Sequence, residues 1–399
     1  MTGPAQGRWR LPDGIEEVLP DTAWRLEHLR YRLLGLYARW GYDFVIPPLI
    51  EYLDSLLIGA GHDLDLDTFK LVDQVSGRMM GVRADMTPQV ARIDAHRLGQ
   101  DRPMRLCYLG AVLHTRPEPF GGGRSPLQLG AELYGHGGIE ADLEVVELLL
   151  ETLAAAGNDH DITIDLGHVG IVRGVADHCG LDRGERDRIY EMLQRKSVPE
   201  IEAWVEELGL PDGEARLWHA LAELHGDASV LARAREELAA AGDDVLAAID
   251  YLISLGERLR ARHGNIALHF DPAELRGYRY HTGVVFAVYV GEAGAEIARG
   301  GRYDGIGQAF GRARPATGFS TDLRRLAELG ADGVAPLPAG IAAPADDDTA
   351  LAARIRELRN GGERVIVLLP GQAGSARDMG CDRRLVRGMD GDWRIEEIE

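Results

Sequence analysis

Four short stretches place charged, amide and hydroxyl side chains at or near the edges of apolar, strand-like runs. They are Arg83-Ala84-Asp85-Met86-Thr87, Gln128-Leu129-Gly130-Ala131-Glu132, Leu275-Arg276-Gly277-Tyr278-Arg279-Tyr280-His281-Thr282-Gly283 and Gly300-Gly301-Arg302-Tyr303-Asp304-Gly305. Most of these side chains stand beside glycine, a common way to aim polar groups into a cleft. One such stretch says little, because an arginine or aspartate at a strand end is more often an ordinary surface or ion-pair residue. Four in one chain are the signal. Gly121-Gly122-Gly123-Arg124 is not a phosphate cradle: no Lys-Ser/Thr follows, and no evident helix opens after a strand there. It reads as a loop.

The elements that must position these residues follow from hydrophobic spacing. Leu26, Leu29, Leu33, Leu34, Leu36 and Tyr37 recur at helical intervals between Asp21 and Tyr42, and Gly41 ends the pattern. Tyr42 to Ile46 then reads as a strand stopped by Pro47 and Pro48, and Leu49 to Leu57 as a short helix or extended segment. Phe69–Leu71, Met79–Val82, Met104–His114 and Leu127–Tyr134 are strand-like, with a helix entered through Pro88 over Thr87–Leu98. Glu140–Ala155 is a helix and Ile162–Leu166 a strand, before an all-helical region from about Asp182 to Arg260 that reads as an insertion. Strands return at Ile266–Phe270, Val284–Val290 and Glu296–Ala298, and a helix lies around Thr321–Leu329.

The spacing predicts an α+β fold in which an antiparallel sheet is flanked by helices, since the strands lie close in sequence with few crossover helices. Residues 1–330 form the core with the insertion at about 182–260, residues 331–348 an Ala-, Pro- and Asp-rich linker, and 349–399 a short C-terminal α/β segment. With one helix and one strand, that last segment is too small to stand as a domain of normal size.

Bulk properties bound the function. The 399 residues, 45% hydrophobic and 27% charged, have ordinary globular composition. Lys and Arg total 44 against 64 Asp and Glu, a formal charge of −20 that disfavours a phosphate backbone as partner. Cys107, Cys179 and Cys381 are scattered, without metal-ligand spacing, so reduced thiols and no metal are expected. No apolar run reaches the length of a membrane span, and Met1 to Arg10 lacks a signal-peptide core, so a cytoplasmic location is expected.

The order and wording of the four stretches resemble the class II histidyl-tRNA synthetase family over roughly Gly14 to Leu329. Arg276 to Thr282 with Gly300 to Gly305 is close to that family's two histidine-specific signatures, and Tyr42 to Pro48 is similar to the class II segment that builds a dimer interface. The resemblance implies a pocket for free histidine. Asp85, Thr87 and Gln128 would receive the α-ammonium, Arg276 the carboxylate and Glu132 an imidazole nitrogen, with Tyr280 and His281 in the same pocket. A planar guanidinium suits a carboxylate, and a carboxylate favours a protonated imidazole edge. Two positions depart from the family, which usually has Glu at Asp85 and Tyr at His281. Arg276 and Glu132 would also serve as an ion pair between strands, and His281 as a hydrogen-bonded core residue.

The resemblance fails at the ATP half. The family's second motif carries Arg-x-Glu, and ungapped alignment from Gly110 to Glu132 puts His114 and Arg116 at those positions. The third motif normally ends Gly, Leu, Glu, Arg, Leu; here Asp322 replaces the glycine and Arg324 the glutamate, and Arg325 remains. A carboxylate about 4 Å from a phosphate would cost on the order of 4 kcal/mol at an effective dielectric of ~20. Losing one charge clamp typically costs ~10²–10³ in rate. The short tail also leaves no full anticodon-reading module.

A synthetase-like chain with a histidine pocket and a degenerate ATP site is similar to the regulatory subunits of ATP phosphoribosyltransferase. That likeness implies a non-catalytic chain without cofactors that forms dimers and joins a separate short catalytic subunit. It would activate this partner and take part in feedback inhibition by histidine, at the first step of histidine biosynthesis. Two alternatives remain at this point: an active histidyl-tRNA synthetase with a divergent ATP site, and a module that senses uncharged tRNA.

Overall fold

The computed structural model describes residues 10–58, 62–117, 123–275, 277, 280–291, 294–330 and 338–398. Helix α1 (Pro20–Arg39) buries Leu26, Leu29, Leu33, Leu36 and Tyr37, the stripe that its spacing predicts. Gly41, at a φ of +80°, turns the chain out of it. Strand β1 (Asp43–Phe44) follows, then β2 (Ile50–Tyr52) and the short helices α2 (Leu53–Leu56) and α3 (His62–Asp67). β3 (Phe69–Val72) and β4 (Met79–Val82) complete a small antiparallel sheet in the order β2-β4-β3. α4 (Thr87–Arg92) opens with Pro88 in its first turn and runs on as π-helix from Ile93 to Leu98.

The main sheet contains β1, β5 (Met104–Ala111), β6 (Leu127–Tyr134), β7 (Ile162–His168), β8 (Ile266–Phe270), β9 (Val284–Val290), β10 (Ala295–Arg302) and β11 (Ala316–Asp322). Their spatial order is β1-β5-β6-β11-β10-β9-β7-β8. The central pairings are antiparallel, as the sequence predicts. The two edge pairings, β1 with β5 and β7 with β8, are parallel. A parallel pair needs a crossover connection, and between β7 and β8 the helical region supplies it.

α5 (Ile139–Ala156) packs on the sheet, and α6 (Val169–His178) leads into the insertion. The insertion comprises α7 (Arg183–Gln194), α8 (Val198–Leu208), α9 (Asp212–Glu223), α10 (Ser229–Glu237) and α11 (Asp243–Arg262). One continuous apolar core joins α1, α5, the sheet and the insertion, and α12 (Leu323–Leu329) adds Leu323, Leu326 and Ala327 to it.

Residues 19–25 and 334–399 belong to a second unit. Its sheet, β13-β12-β14-β15, is formed by β12 (Gly340–Ala343), β13 (Val365–Val367), β14 (Cys381–Arg387) and β15 (Trp393–Glu397). Helix α13 (Thr349–Asn360) is capped by Asp348, which accepts from the Ala350 amide at 2.8 Å. Ile341, Ala343, Leu351, Ile355, Leu358, Val365 and Leu385 make its core. This departs from the expectation of a linker followed by one helix and one strand. β12 is four residues of small or aliphatic type buried on both faces, so it shows no alternation. β14 buries little beyond Cys381 and Leu385, so its arginines dominate the pattern.

Leu33, fully buried on α1, tests the main core. Leu33→Ala is expected to cost roughly 2–5 kcal/mol, read as a lower urea midpoint with an unchanged slope.

Candidate functional site

Glu132 lies on β6, in register with Leu106 of β5 and Gly318 of β11, and is 1% exposed. An ionised carboxylate at such a depth is costly unless donors surround it. Tyr108 donates to it at 2.9 Å, Thr87 at 3.3 Å, and the Tyr303 hydroxyl makes a third bond. The Tyr108 and Thr87 hydroxyls are themselves 3.0 Å apart. Burial pushes the Glu132 carboxyl up to about 8, with the hydroxyl donors pulling it back and the charge of Asp85 adding to the rise. Burial likewise holds the phenols of Tyr108 and Tyr303 well above their ordinary value.

Room for this cluster comes from glycine. A Cβ at Gly318 would overlap the Glu132 carboxylate, and one at Gly130 the Tyr108 ring. Glycine inside a strand forgoes side-chain packing, and here the space it leaves is filled by polar groups.

The loop before α4 brings a second carboxylate alongside. Asp85 accepts from Gln128 Nε2 at 2.7 Å and from the Thr87 amide at 2.9 Å, while Gln128 Oε1 accepts from the Met86 amide at 2.9 Å. Asp85, Thr87, Gln128 and Glu132 are therefore one connected group. The His281 ring, buried, lies 4.2 Å from the Tyr280 ring and 6.5 Å from that of Tyr303. A Cβ on Gly301 would come within 3.0 Å of His281 Nε2. The two signature stretches are stitched together, because the Thr282 amide donates to the Arg302 carbonyl at 2.7 Å and the Asp304 amide to Thr282 Oγ1 at 2.9 Å. Arg276 lies outside the described residues. With two carboxylates and a ring of hydroxyls, the cluster favours a ligand that carries positive charge and N–H donors.

Two members were not singled out by sequence. Tyr108 sits inside the apolar run of β5, where a tyrosine reads as core. Tyr303 sits in the fourth stretch, and its place directly after Gly-Gly-Arg is the signal that could have found it. Arg302 goes the other way. It does not enter the cleft as the stretch suggests, but pairs with Asp142 of α5 at 3.0 Å on the opposite face of the sheet, because neighbours in a strand alternate.

Of the positions that the resemblance assigns to ATP, His114, Asp322 and Arg325 are engaged locally. His114 Nε2 is 2.9 Å from the Ala84 carbonyl, and its backbone exchanges bonds with Arg124. Arg116 is exposed. Asp322 caps α12, accepting from the amides of Arg324 and Leu127, each at 3.0 Å, and burial raises its carboxyl. Arg324 is half-buried with Nε unpartnered, and Arg325 donates to the Glu296 carbonyl at 3.0 Å. Gly121 and Gly122 lie outside the described residues. Among the described residues no group of His, Cys, Asp or Glu is placed to hold a metal, and no helix is long and apolar enough to cross a membrane.

The sequence matches the profile of the histidyl-tRNA synthetase family over residues 14–326, and that of the "ATP phosphoribosyltransferase subunit HisZ C-terminal domain" over 338–396. It is 55% identical to an ATP phosphoribosyltransferase regulatory subunit of Thioalkalivibrio sulfidiphilus, covering 98% of this chain and 99% of that one. A regulatory subunit from Pseudomonas fluorescens is 51% identical over 98% of each. Among solved structures, an "ATP phosphoribosyltransferase regulatory subunit/histidyl-tRNA synthetase" from Bacillus halodurans superposes with a TM-score of 0.82 at 27% identity, covering 95% of this chain and 97% of that one. The histidyl-tRNA synthetase of Nostoc sp. shares the fold, with a TM-score of 0.76 at 18% identity over 98% and 97%.

The Glu132 carboxyl, at about 8 against an ordinary 4.5, is a group that folding keeps neutral. The stability this gives is full below about 4.5 and is lost as pH rises through 8. Glu132→Gln mimics the neutral acid. Its thermal midpoint is expected to match the parent's at acid pH and to exceed it by several degrees at about pH 9, measured by calorimetry across that range.

Proposed function

Because the chain belongs to the family of ATP phosphoribosyltransferase regulatory subunits, we propose that it binds and activates a separate short catalytic subunit of that enzyme in the cytoplasm and makes it responsive to histidine. The observation that carries this reading is the contrast between the two halves of the site. The Glu132, Tyr108, Thr87 and Tyr303 cluster is joined by hydrogen bonds, and its carboxyl and hydroxyl acceptors suit a ligand with N–H donors. Two of the positions that would clamp ATP, His114 and Asp322, are occupied by side chains bonded to their own surroundings.

In this reading the α-ammonium of histidine meets Asp85, Thr87 and Gln128, its carboxylate meets Arg276, and an imidazole N–H donates to Glu132. Tyr280 and His281 belong to the same pocket. His114 and Arg116 in place of Arg-x-Glu, with Asp322 and Arg324 in the third motif, remove aminoacylation. The chain pairs with a second copy through Tyr42 to Pro48, where Phe44 and Ile46 are 39% and 75% exposed. The −20 charge speaks against tRNA as a partner. Regulation by histidine follows from linkage: histidine shifts activity only as far as it binds two states of the complex with different affinity.

The test is ATP phosphoribosyltransferase activity of a cognate short subunit, alone, with this chain, and with histidine added. The chain is expected to raise the rate and histidine to lower it; no effect of the chain overturns the proposal. Histidine-dependent ATP–pyrophosphate exchange by the chain alone is expected to be absent, and robust exchange would instead make it a synthetase. Arg276→Ala is expected to weaken histidine binding by about 10–100-fold, the loss of a charge-assisted bond, without lowering the thermal midpoint.

A further inference from the structure

The helical insertion reaches both signature stretches through polar junctions whose acceptors, Asp271 and Asp142, are buried. The first lies at the turn between α7 and α8. Lys196 Nζ pairs with Asp271, whose side chain is 6% exposed, and Gln194 Nε2 donates to the Leu275 carbonyl at 3.0 Å. Asp271 is also held by its own backbone, its amide donating to the Leu166 carbonyl at 2.9 Å and its Oδ1 accepting from the Ala273 amide at 3.0 Å. The segment 271–275 that feeds the stretch Leu275–Gly283 is thus fixed to the end of β7 and, across from it, to the insertion. Lys196 is the one non-glycine residue with positive φ, +51°, among the described residues. L-residues adopt that backbone at a cost, and here it goes with the lysine's ion pair.

The second junction lies behind the sheet. Tyr251 of α11 donates to Asp142 of α5, which is fully buried. Asp142 holds Arg302 through Nη2 at 3.0 Å and Nε at 3.1 Å. Arg302 also donates to the carbonyls of His136 and Gly138 and to Asp304. The residue after Arg302 is Tyr303, which reaches Glu132 through the sheet's other face. Gly283 leaves room for the arginine, since a Cβ there would lie 2.9 Å from its Cδ.

We infer that the insertion sets the geometry of the pocket through these junctions, with Gln194, Lys196 and Tyr251 as positioning residues for the ligand of the Glu132 cluster. The inference rests on the reading of that cluster as a histidine site. None of the three side chains belongs to the cluster. Tyr251 acts through Asp142 on Arg302, the neighbour of Tyr303, and Gln194 and Lys196 hold the segment 271–275 that leads to the stretch with His281, so a load on α7 or α11 is transmitted to the site along packed, bonded elements.

The test is calorimetric titration of the full chain with histidine, using Lys196→Met, Gln194→Ala and Tyr251→Phe, each checked for an unaltered far-ultraviolet spectrum and a cooperative thermal transition. Each is expected to weaken binding by about threefold to thirtyfold. Lys196→Arg, which keeps the ion pair, is expected to restore the parent affinity. Arg383→Met, which breaks the 2.9 Å pair with Glu363 in the C-terminal unit, is expected to leave it unchanged. Parent-like affinity in the first three variants overturns the inference while leaving the histidine reading intact. A parent chain that binds no histidine overturns that reading, and the inference with it. An equal loss in Arg383→Met would show general loosening and also count against it.

Discussion

A carboxylate with almost no access to solvent, that of Glu132, constrains the centre of this molecule. Its three hydroxyl donors come from the start of α4, from β5 and from the turn after β10. All three can reach it only if β5 and β11 flank β6, β10 lies beyond β11, and α4 covers the face between them. That is the observed order. Losing one donor would leave a buried carboxyl oxygen unsatisfied, at a cost of about 1–3 kcal/mol. The strand order and the cluster therefore stabilise each other: pairing brings the donors in, and the donors penalise other arrangements.

The same region is where local rules of strand sequence are broken. Gly130, Gly300, Gly301 and Gly318 sit in the central strands, where β-branched residues would pair better. A side chain at any of them would collide with Tyr108, Phe286, His281 or Glu132, respectively. On the opposite face Asp142, Arg302 and Tyr251 form a second polar group at a depth normally given to aliphatic residues. Such departures gather where a protein recognises something, because a packed apolar sheet would be more stable and would bind nothing polar.

These departures also explain what could be read from the sequence. Helices α1, α5 and the insertion announced themselves through long periodic runs, and the central strands through short apolar ones. Asp85, Thr87, Gln128 and Glu132 lie on stretches set off by a glycine, a proline or a strand end, and it was the resemblance to the synthetase family that grouped them in one pocket. Tyr108 gave no such sign: within Met104–Ala111 it is one more large residue in an apolar strand, and its role depends on which side chain of the neighbouring strand β6 it meets. The alternation that sends Arg302 behind the sheet and Tyr303 towards Glu132 also needs the register of β10, which the sequence around it does not specify. β12, β14 and β15 were missed for the converse reason. Their burial is small or two-sided, so periodicity carried almost no information.

At two positions that depart from the synthetase pattern, Asp322 and His114, the side chain is bonded to its surroundings. Asp322 satisfies the amides of Leu127 and Arg324, a cap of the kind worth about 1 kcal/mol. Its carboxylate thereby sits as a tethered acceptor at the amide that opens α12. An incoming phosphate would have to displace that carboxylate or share its neighbourhood, and either raises the cost of binding. His114 is held the same way, its ring against the Ala84 carbonyl one residue before Asp85. Asp322 and His114 bond to segments that carry members of the Glu132 cluster. Side chains at these two positions thus brace the segments that carry Asp85 and Gln128.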